Sequence, residues 1–235
     1  MKEQVYEDDR PAEALEPYYH RAETKPPDFW IYETARMLTS LLAWFGYRTR
    51  TIDSANVPTS GPLIFAPNHF SNLDHFFMGQ ATRRRVQFMA KSHLFKPGSP
   101  MTFVYEHGGV FPVRRGRRDE RTFDIVRAVT ARDGTVCVYC EGGRSRTGKL
   151  AERAKPGIGR IALETGAPVV PVGIAGSEGA RNWTRLRFPR VRVRYGEPMR
   201  WERVEHPTRE QQQAVADEIF AEIKRLHASL TEPPR

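Results

Sequence analysis

Leu63-Ile64-Phe65-Ala66-Pro67-Asn68-His69-Phe70-Ser71-Asn72-Leu73-Asp74 is the stretch on which the architecture of this chain turns. The apolar run Leu63 to Ala66 is too short for a helix and shows no polar alternation, which describes a strand buried on both faces. Ser71 and Asn72 favour a turn, and the residues from Leu73 to Ala81 then read as a helix. A buried strand that runs through a turn into a helix is the repeating unit of an α/β fold.

The pattern continues outward on both sides. Val86–Ala90 reads as a second strand and Gly109–Val113 as a third, with Pro112 demoting the latter to an edge or an irregular stretch. Asp119 to Arg132 has helical character and stops at Asp133-Gly134. Val136–Tyr139 is a strand, Gly157–Thr165 a helix closed by Gly166, and Val169–Ile174 a further buried strand. Val191–Tyr195 alternates as a half-exposed strand should, and Thr208 to Leu230 forms an amphipathic helix with Thr208 as N-cap and Glu210 in its first turn. These elements predict an α/β single-domain sandwich, with a central mixed, largely parallel sheet flanked by helices. An N-terminal amphipathic helix is added to it.

That helix lies in residues 28–50. Trp30, Ile31, Met37, Leu38, Leu41, Leu42, Trp44 and Phe45 recur at helical spacing, while Glu33, Arg36 and Ser40 share the opposite face. Such a stripe ordinarily packs on a core. Its aromatic content, with Trp44, Tyr47, Arg48 and Arg50 at its end, suits an interfacial helix with basic anchors instead. Residues 1–27, charged and carrying Pro11, Pro17, Pro26 and Pro27, read as a mobile or loosely packed arm.

Of 235 residues 39% are hydrophobic, which places the chain among globular proteins, and 37 Lys+Arg against 28 Asp+Glu leave a net charge of +9. That excess favours an anionic partner: nucleic acid, an anionic membrane surface or a phosphorylated substrate. A nucleic-acid partner is not expected, because Arg83-Arg84-Arg85 and Arg114–Arg121 carry neither a recognisable motif nor interleaved stacking aromatics. No signal peptide opens the sequence, where Glu7-Asp8-Asp9 follow closely on Met1, and no apolar stretch approaches the ~20 residues of a spanning helix. The expected location is therefore peripheral, at the cytoplasmic face of the cell membrane. Cys137 and Cys140, the two cysteines, have a C-x-x-C spacing. On a strand that offset points them to opposite faces, and no second Cys/His pair completes a zinc site.

Three segments carry candidate chemistry. His69 can take a proton from a hydroxyl near neutral pH, and a carboxylate such as Asp74 can fix its tautomer and stabilise the imidazolium. The same residues admit a blander reading, with Ser71-x-x-Asp74 a capping box, and a metal site from His69, Asp74 and His75. In Gly109-Val110-Phe111-Pro112-Val113-Arg114, a guanidinium at a strand end suits a phosphate. In Glu141-Gly142-Gly143-Arg144-Ser145, glycines let backbone N–H groups approach an anion while Arg144 supplies charge. The P-loop spacing is absent from it.

In this order the segments resemble the glycerolipid acyltransferase family typified by 1-acylglycerol-3-phosphate acyltransferases. The matching blocks are Asn68-His69-x-Ser71-x-x-Asp74, Gly109-x-Phe111-x-x-Arg114, Glu141-Gly142-x-Arg144-Ser145 and Val170-Pro171-Val172. Cys140 stands where a proline commonly precedes the Glu, and Gly143 where a threonine is common. The resemblance implies an acyltransferase domain over residues 51–235 that moves a fatty acyl group from acyl-CoA or acyl-carrier protein to a lysophospholipid hydroxyl at a membrane surface. It implies His69 as base and Asp74 as its partner, with Arg114, Glu141, Gly142 and Arg144 on the acceptor phosphate. Asn68, Ser71, Ser145 and Pro171 would be supporting residues, with no metal and no cofactor beyond the acyl donor. Other lipid acceptors, and hydrolysis of the thioester by water, use the same dyad.

Overall fold

The computed structural model describes residues 10–114, 120–145, 147–180 and 188–231. Its strands are β1 (Arg50–Ile52), β2 (Leu63–Pro67), β3 (Val86–Lys91), β4 (Val110–Val113), β5 (Thr135–Cys137), β6 (Val169–Ala175) and β7 (Arg192–Tyr195). They form one sheet in the order β1-β7-β6-β2-β5-β3-β4. Each neighbouring pair is parallel except β6 with β7. The helices are α1 (Glu16–Thr24), α2 (Phe29–Leu41), α3 (Asp74–Gly79), α4 (Pro100–His107), α5 (Glu120–Ala131), α6 (Gly157–Thr165) and α7 (Arg209–Thr231). The expected mixed, largely parallel α/β sandwich is what the chain adopts.

The sheet is apolar on both faces because its central strands present alternate residues to opposite layers. Ile64, Ala66, Val136 and Val169 point to a core built with α1, α5, α6 and α7, through Tyr19, Ile125, Ile161 and Phe220 among others. Leu63, Phe65, Val170 and Val172 point the other way, to Phe77 and Met78 of α3 and to Ala43 and Tyr47 after α2. Cys137 and Cys140 fall in these two different cores, both as free buried thiols, so the C-x-x-C spacing is a matter of packing. Burial pushes both thiols well above their ordinary range.

Several boundaries follow the sequence reading closely. Gly166 closes α6 in the left-handed conformation at φ 63°. Thr208 caps α7, its Oγ1 accepting from the Gln211 N–H at 3.3 Å, while Gln211 Oε1 accepts the Thr208 N–H at 2.8 Å. Pro112 sits in β4, an edge strand that pairs with β3, where a missing N–H costs least. The helix expected from Asp119 is described from Glu120, since Asp119 lies outside the described residues.

The N-terminal expectation needs correction. Residues 1–9 lie outside the described region, but the segment from Arg10 to Thr24 is no loose arm. A 3-10 turn at Ala12–Leu15 leads into α1, and Leu15, Tyr19 and Ala22 bury their side chains in the main core. Their spacing of four and three residues makes one helical stripe, which packs on α5. Charge and prolines masked that stripe in the sequence. β1 and α4 were likewise not foreseen.

The segment from Phe29 is helical as expected and continues past α2 as a wide π turn over Leu42–Gly46. Its orientation is the notable feature. Tyr32 and Ser40 face the protein and are buried, whereas Phe29, Met37, Leu38, Leu41, Leu42 and Trp44 are exposed, with Trp30 at 79% and Phe45 at 80%. Arg36 turns inward to donate to the Thr82 carbonyl at 2.9 Å, and it pairs with Glu33. Beside this face, Leu94 and the α4 residues Met101, Phe103 and Val104 are exposed as well. Among the described residues no helix is long and apolar enough to cross a membrane.

Candidate active site

Because β2, β5, β3 and β4 run parallel, their C-terminal ends open on one edge of the sheet, where α/β folds bind ligands. His69 follows β2, Glu141 follows β5, Lys91 ends β3 and Arg114 follows β4. The topology thus gathers segments that lie far apart in sequence.

The loop after β2 is tied down on all sides. Asn68, fully buried, donates from Nδ2 to the Ile174 carbonyl at 2.9 Å and accepts the Ile174 N–H on Oδ1 at 2.7 Å. It thereby anchors the loop to the end of β6. His69 donates its backbone N–H to Glu141 Oε1 at 3.4 Å, and its carbonyl accepts the Ser145 N–H at 2.8 Å. The turns after β2 and after β5 are therefore stitched together at the residue that carries the imidazole.

Asp74, the first residue of α3, meets both the imidazole and the backbone of the turn before it. Its Oδ2 lies 2.8 Å from His69 Nδ1, and the same oxygen accepts the backbone N–H of Phe70 at 2.7 Å and of Ser71 at 2.8 Å. Ser71 returns half of the box, its Oγ accepting the Leu73 N–H at 3.2 Å. Donors converging on one buried oxygen hold the carboxylate still, and it in turn holds the His69 ring by Nδ1. The alternative with His75 fails on placement: that ring packs against Phe76 and Phe88. Burial pushes its pKa down to about 4, so it is neutral at physiological pH. Among the described residues no cluster of three or more His, Cys, Asp and Glu is placed to hold a metal.

A cavity of about 230 Å³ opens beside His69. Gly142, Gly143, Lys91 and Lys155 line it together with apolar side chains such as Met89, Val113, Phe123, Ile158 and Ile161. Gly142 adopts φ +66°, and a Cβ there would meet the Lys155 side chain at 3.0 Å, so glycine both makes this turn and lets the lysine lie across it. Burial pushes the Glu141 carboxyl up to about 7, close enough to neutrality for both protonation states to be populated.

The other expected anion-binding residues divide. Gly142 and Glu141 are at the site, and Arg144 is exposed on the same turn. Arg114 does not line the cavity: its guanidinium donates to the Arg10 carbonyl of the N-terminal segment. Arg115, Gly116, Arg117, Arg118 and Arg146 lie outside the described residues. Ser145 braces its own turn, its Oγ donating to the Lys149 carbonyl at 2.7 Å. Pro171 lies within β6, where its carbonyl accepts the Gly196 N–H at 2.9 Å, and its contribution is to the sheet. Sequence reasoning passed over Lys91, Lys155 and Tyr139. Lys91 ends a strand, as Arg114 follows one, and that position was the available signal.

Known proteins similar to this chain are acyltransferases by description. A model of the family described as Acyltransferase matches residues 48–175, more than half of the chain. A 1-acyl-sn-glycerol-3-phosphate acyltransferase of Cocos nucifera is 27% identical over 169 residues, covering 69% of this chain and 54% of the coconut protein. A probable 1-acyl-sn-glycerol-3-phosphate acyltransferase of Mycoplasma pneumoniae is also 27% identical, covering 67% of this chain and 60% of its own length. The chain thus spans little more than half the length of these curated relatives. The crystal structure of the 1-acyl-sn-glycerophosphate acyltransferase PlsC from Thermotoga maritima shares the fold, with a TM-score of 0.61 at 21% identity over 93% of this chain and 89% of that one.

Proposed function

The chain belongs to the acyltransferase family, and from that premise we propose that it transfers a fatty acyl group from acyl-CoA or acyl-carrier protein to the free hydroxyl of a lysophospholipid, 1-acylglycerol-3-phosphate foremost, giving phosphatidic acid. The observation that carries this reading is the His69 Nδ1 to Asp74 Oδ2 contact of 2.8 Å beside a largely apolar cavity that Lys91 and Lys155 also line. Nε2 of His69 takes the proton of the acceptor hydroxyl as its oxygen attacks the thioester carbonyl. The C–S bond then breaks, and the leaving thiolate takes that proton from the imidazolium, so no proton is gained or lost overall. Asp74 and the loop's attachments keep the ring in place throughout.

The phosphate of the acceptor fits the cationic lining supplied by Lys91, Lys155 and the Gly142-Gly143 turn, with Arg144 beside it. Arg114, tied to the Arg10 carbonyl, is expected to organise that wall more than to touch the phosphate. Lipid acceptors of other headgroup chemistry, including lyso-ornithine lipid, are the competing reading, and Arg114's position outside the cavity is the observation in their favour. The exposed apolar face of α2, continued by Leu94 and α4, suits docking on a bilayer from which the acceptor enters, with the basic surplus favouring anionic lipid.

The test is an acyl-transfer assay with both thioester donors and a panel of lysolipids, run beside His69→Ala. Turnover with 1-acylglycerol-3-phosphate should fall at least about a thousandfold in the variant, with the fold unchanged by circular dichroism. Activity retained in His69→Ala would sink the assignment of the base. Preference for a phosphate-free acceptor would move the substrate, and release of free fatty acid instead of acylated lipid would mark a hydrolase.

A further inference from the structure

One contact of His69 has no part in the mechanism above. The rings of His69 and Tyr139 are stacked, with centroids 3.8 Å apart and planes 21° from parallel. We propose that Tyr139 is a positioning residue for proton transfer: its π face holds the His69 ring in the plane set by Asp74 and stabilises the imidazolium formed when the acceptor hydroxyl gives up its proton. This role rests on His69 being the base.

The geometry separates the two supports of the ring. The Nδ1 contact to Asp74 is a single hydrogen bond, and one such bond by itself leaves the imidazole free to turn about its line. A second flat ring against its face opposes that turning, beside a cavity that both residues line. Tyr139 reaches this position because the chain stays extended after β5, the Val138 N–H still bonding the Phe65 carbonyl at 2.8 Å. Neighbouring strand ends therefore deliver the two rings side by side.

The face also matters for charge. Among the groups around the imidazole, Asp74 favours a cation, as does Glu141 in its ionised fraction, whereas Lys91 and Lys155 at the same cavity oppose one, and His75 adds no charge while neutral. The negative π face of a phenol shifts that balance towards the imidazolium without bringing another ionisable group to the substrate. The hydroxyl is not the part that meets the imidazole: the stacked ring is, while Oη is buried and burial raises its pKa well above the ordinary value, so it stays protonated.

The experiment compares Tyr139→Phe, Tyr139→Leu and a series with phenylalanines of increasing ring fluorination at position 139. Phe should keep kcat within about twofold. Leu should lower kcat about fivefold or more with KM for donor and acceptor unchanged, and kcat should fall stepwise as fluorine withdraws density from the ring face. In the substrate-free protein, the ring-current displacement of the His69 Cε1–H resonance should survive in Phe and vanish in Leu. Equal kcat in Leu and Phe, or a rate indifferent to fluorination, overturns the proposal. The fluorinated rings are close in size to the parent, so they decide the matter even where Leu fails to fold. A parent protein without acyl transfer refutes the functional reading and this role with it, while the resonance still reports whether the rings stack.

Discussion

α7 and α2 are both amphipathic, and they bury opposite faces. α7 turns Val215, Ala216, Ile219, Phe220, Ile223, Leu226 and Leu230 inward against α6 and β6 and leaves its charges outside. α2 turns Tyr32, Arg36 and Ser40 towards the protein and leaves its aromatic and aliphatic stripe uncovered. Hydrophobic periodicity therefore fixes that a segment is a helix and which residues share a face, but not what that face meets. For α7 the apolar partner is the sheet. For α2 the protein supplies polar partners, which leaves the apolar side for a surface outside the molecule.

Replacement of Gly159 tests the α7 side most severely. A Cβ at Gly159 of α6 would sit 1.9 Å from the Gln212 carbonyl oxygen and 2.9 Å from the Ala216 backbone nitrogen, both on α7, so the two helix backbones touch there. Gly159→Ala must push α6 and α7 apart. We expect a loss of about 3 kcal/mol or more, read as a fall of about 6–12 °C in Tm. A variant that melts with the parent would mean that α7 is not seated as described, and the contrast with α2 would collapse.

The α2 side should respond in binding and not in stability. Trp30→Ser with Phe45→Ser removes the two most exposed aromatic side chains of the face. Since neither is covered by protein, stability should change by no more than about 0.5 kcal/mol. Cosedimentation with vesicles containing anionic lipid should weaken at least about tenfold, because each ring that enters the interface contributes about 1.5–3 kcal/mol. A large drop in Tm with unchanged vesicle binding would show instead that the face is covered in solution by a second copy of the chain, which sedimentation velocity would detect.

The two helices also mark what could be read in the sequence. Apart from α4, strand and helix order from Leu63 to Tyr195 was legible because buried strands are apolar runs between turn residues. The His69–Asp74 spacing alone, by contrast, reads equally as a helix cap and gained its meaning only from the Arg114, Glu141 and Val170 blocks that follow it. α1 was not legible: Leu15, Tyr19 and Ala22 are too few among charges and prolines to stand out, though they pack on α5. Nor was the cavity, because Lys91 and Lys155 are distant in sequence and come to line it only through the parallel pairing of β3 with β5. The stack on His69 was hidden likewise, Tyr139 reading as one more strand residue. Arg114 fell on the wrong side of the same gap: a motif locates a residue on a strand end, while its direction depends on what packs there, here the Arg10 carbonyl.

The smallest expected effect sharpens the contrast from inside α2. If this helix is held by polar contacts, then removing one hydroxyl from its inner face should cost stability that removing two aromatic rings from its outer face does not. Tyr32 is buried, its Oη accepting the Val86 N–H at 3.0 Å and lying 3.5 Å from the Arg84 carbonyl. Burial holds its pKa up at about 12, so the hydroxyl stays protonated through the neutral range. Tyr32→Phe keeps the ring and strands the Val86 N–H at the start of β3 without its acceptor, a loss of about 1–2 kcal/mol. Thermal melting should show this as a decrease of a few degrees, with vesicle binding of the folded protein unchanged. Equal melting temperatures for Tyr32→Phe and the parent would mean that the inner face of α2 is held by shape alone, and the polar attachment inferred for it would be wrong.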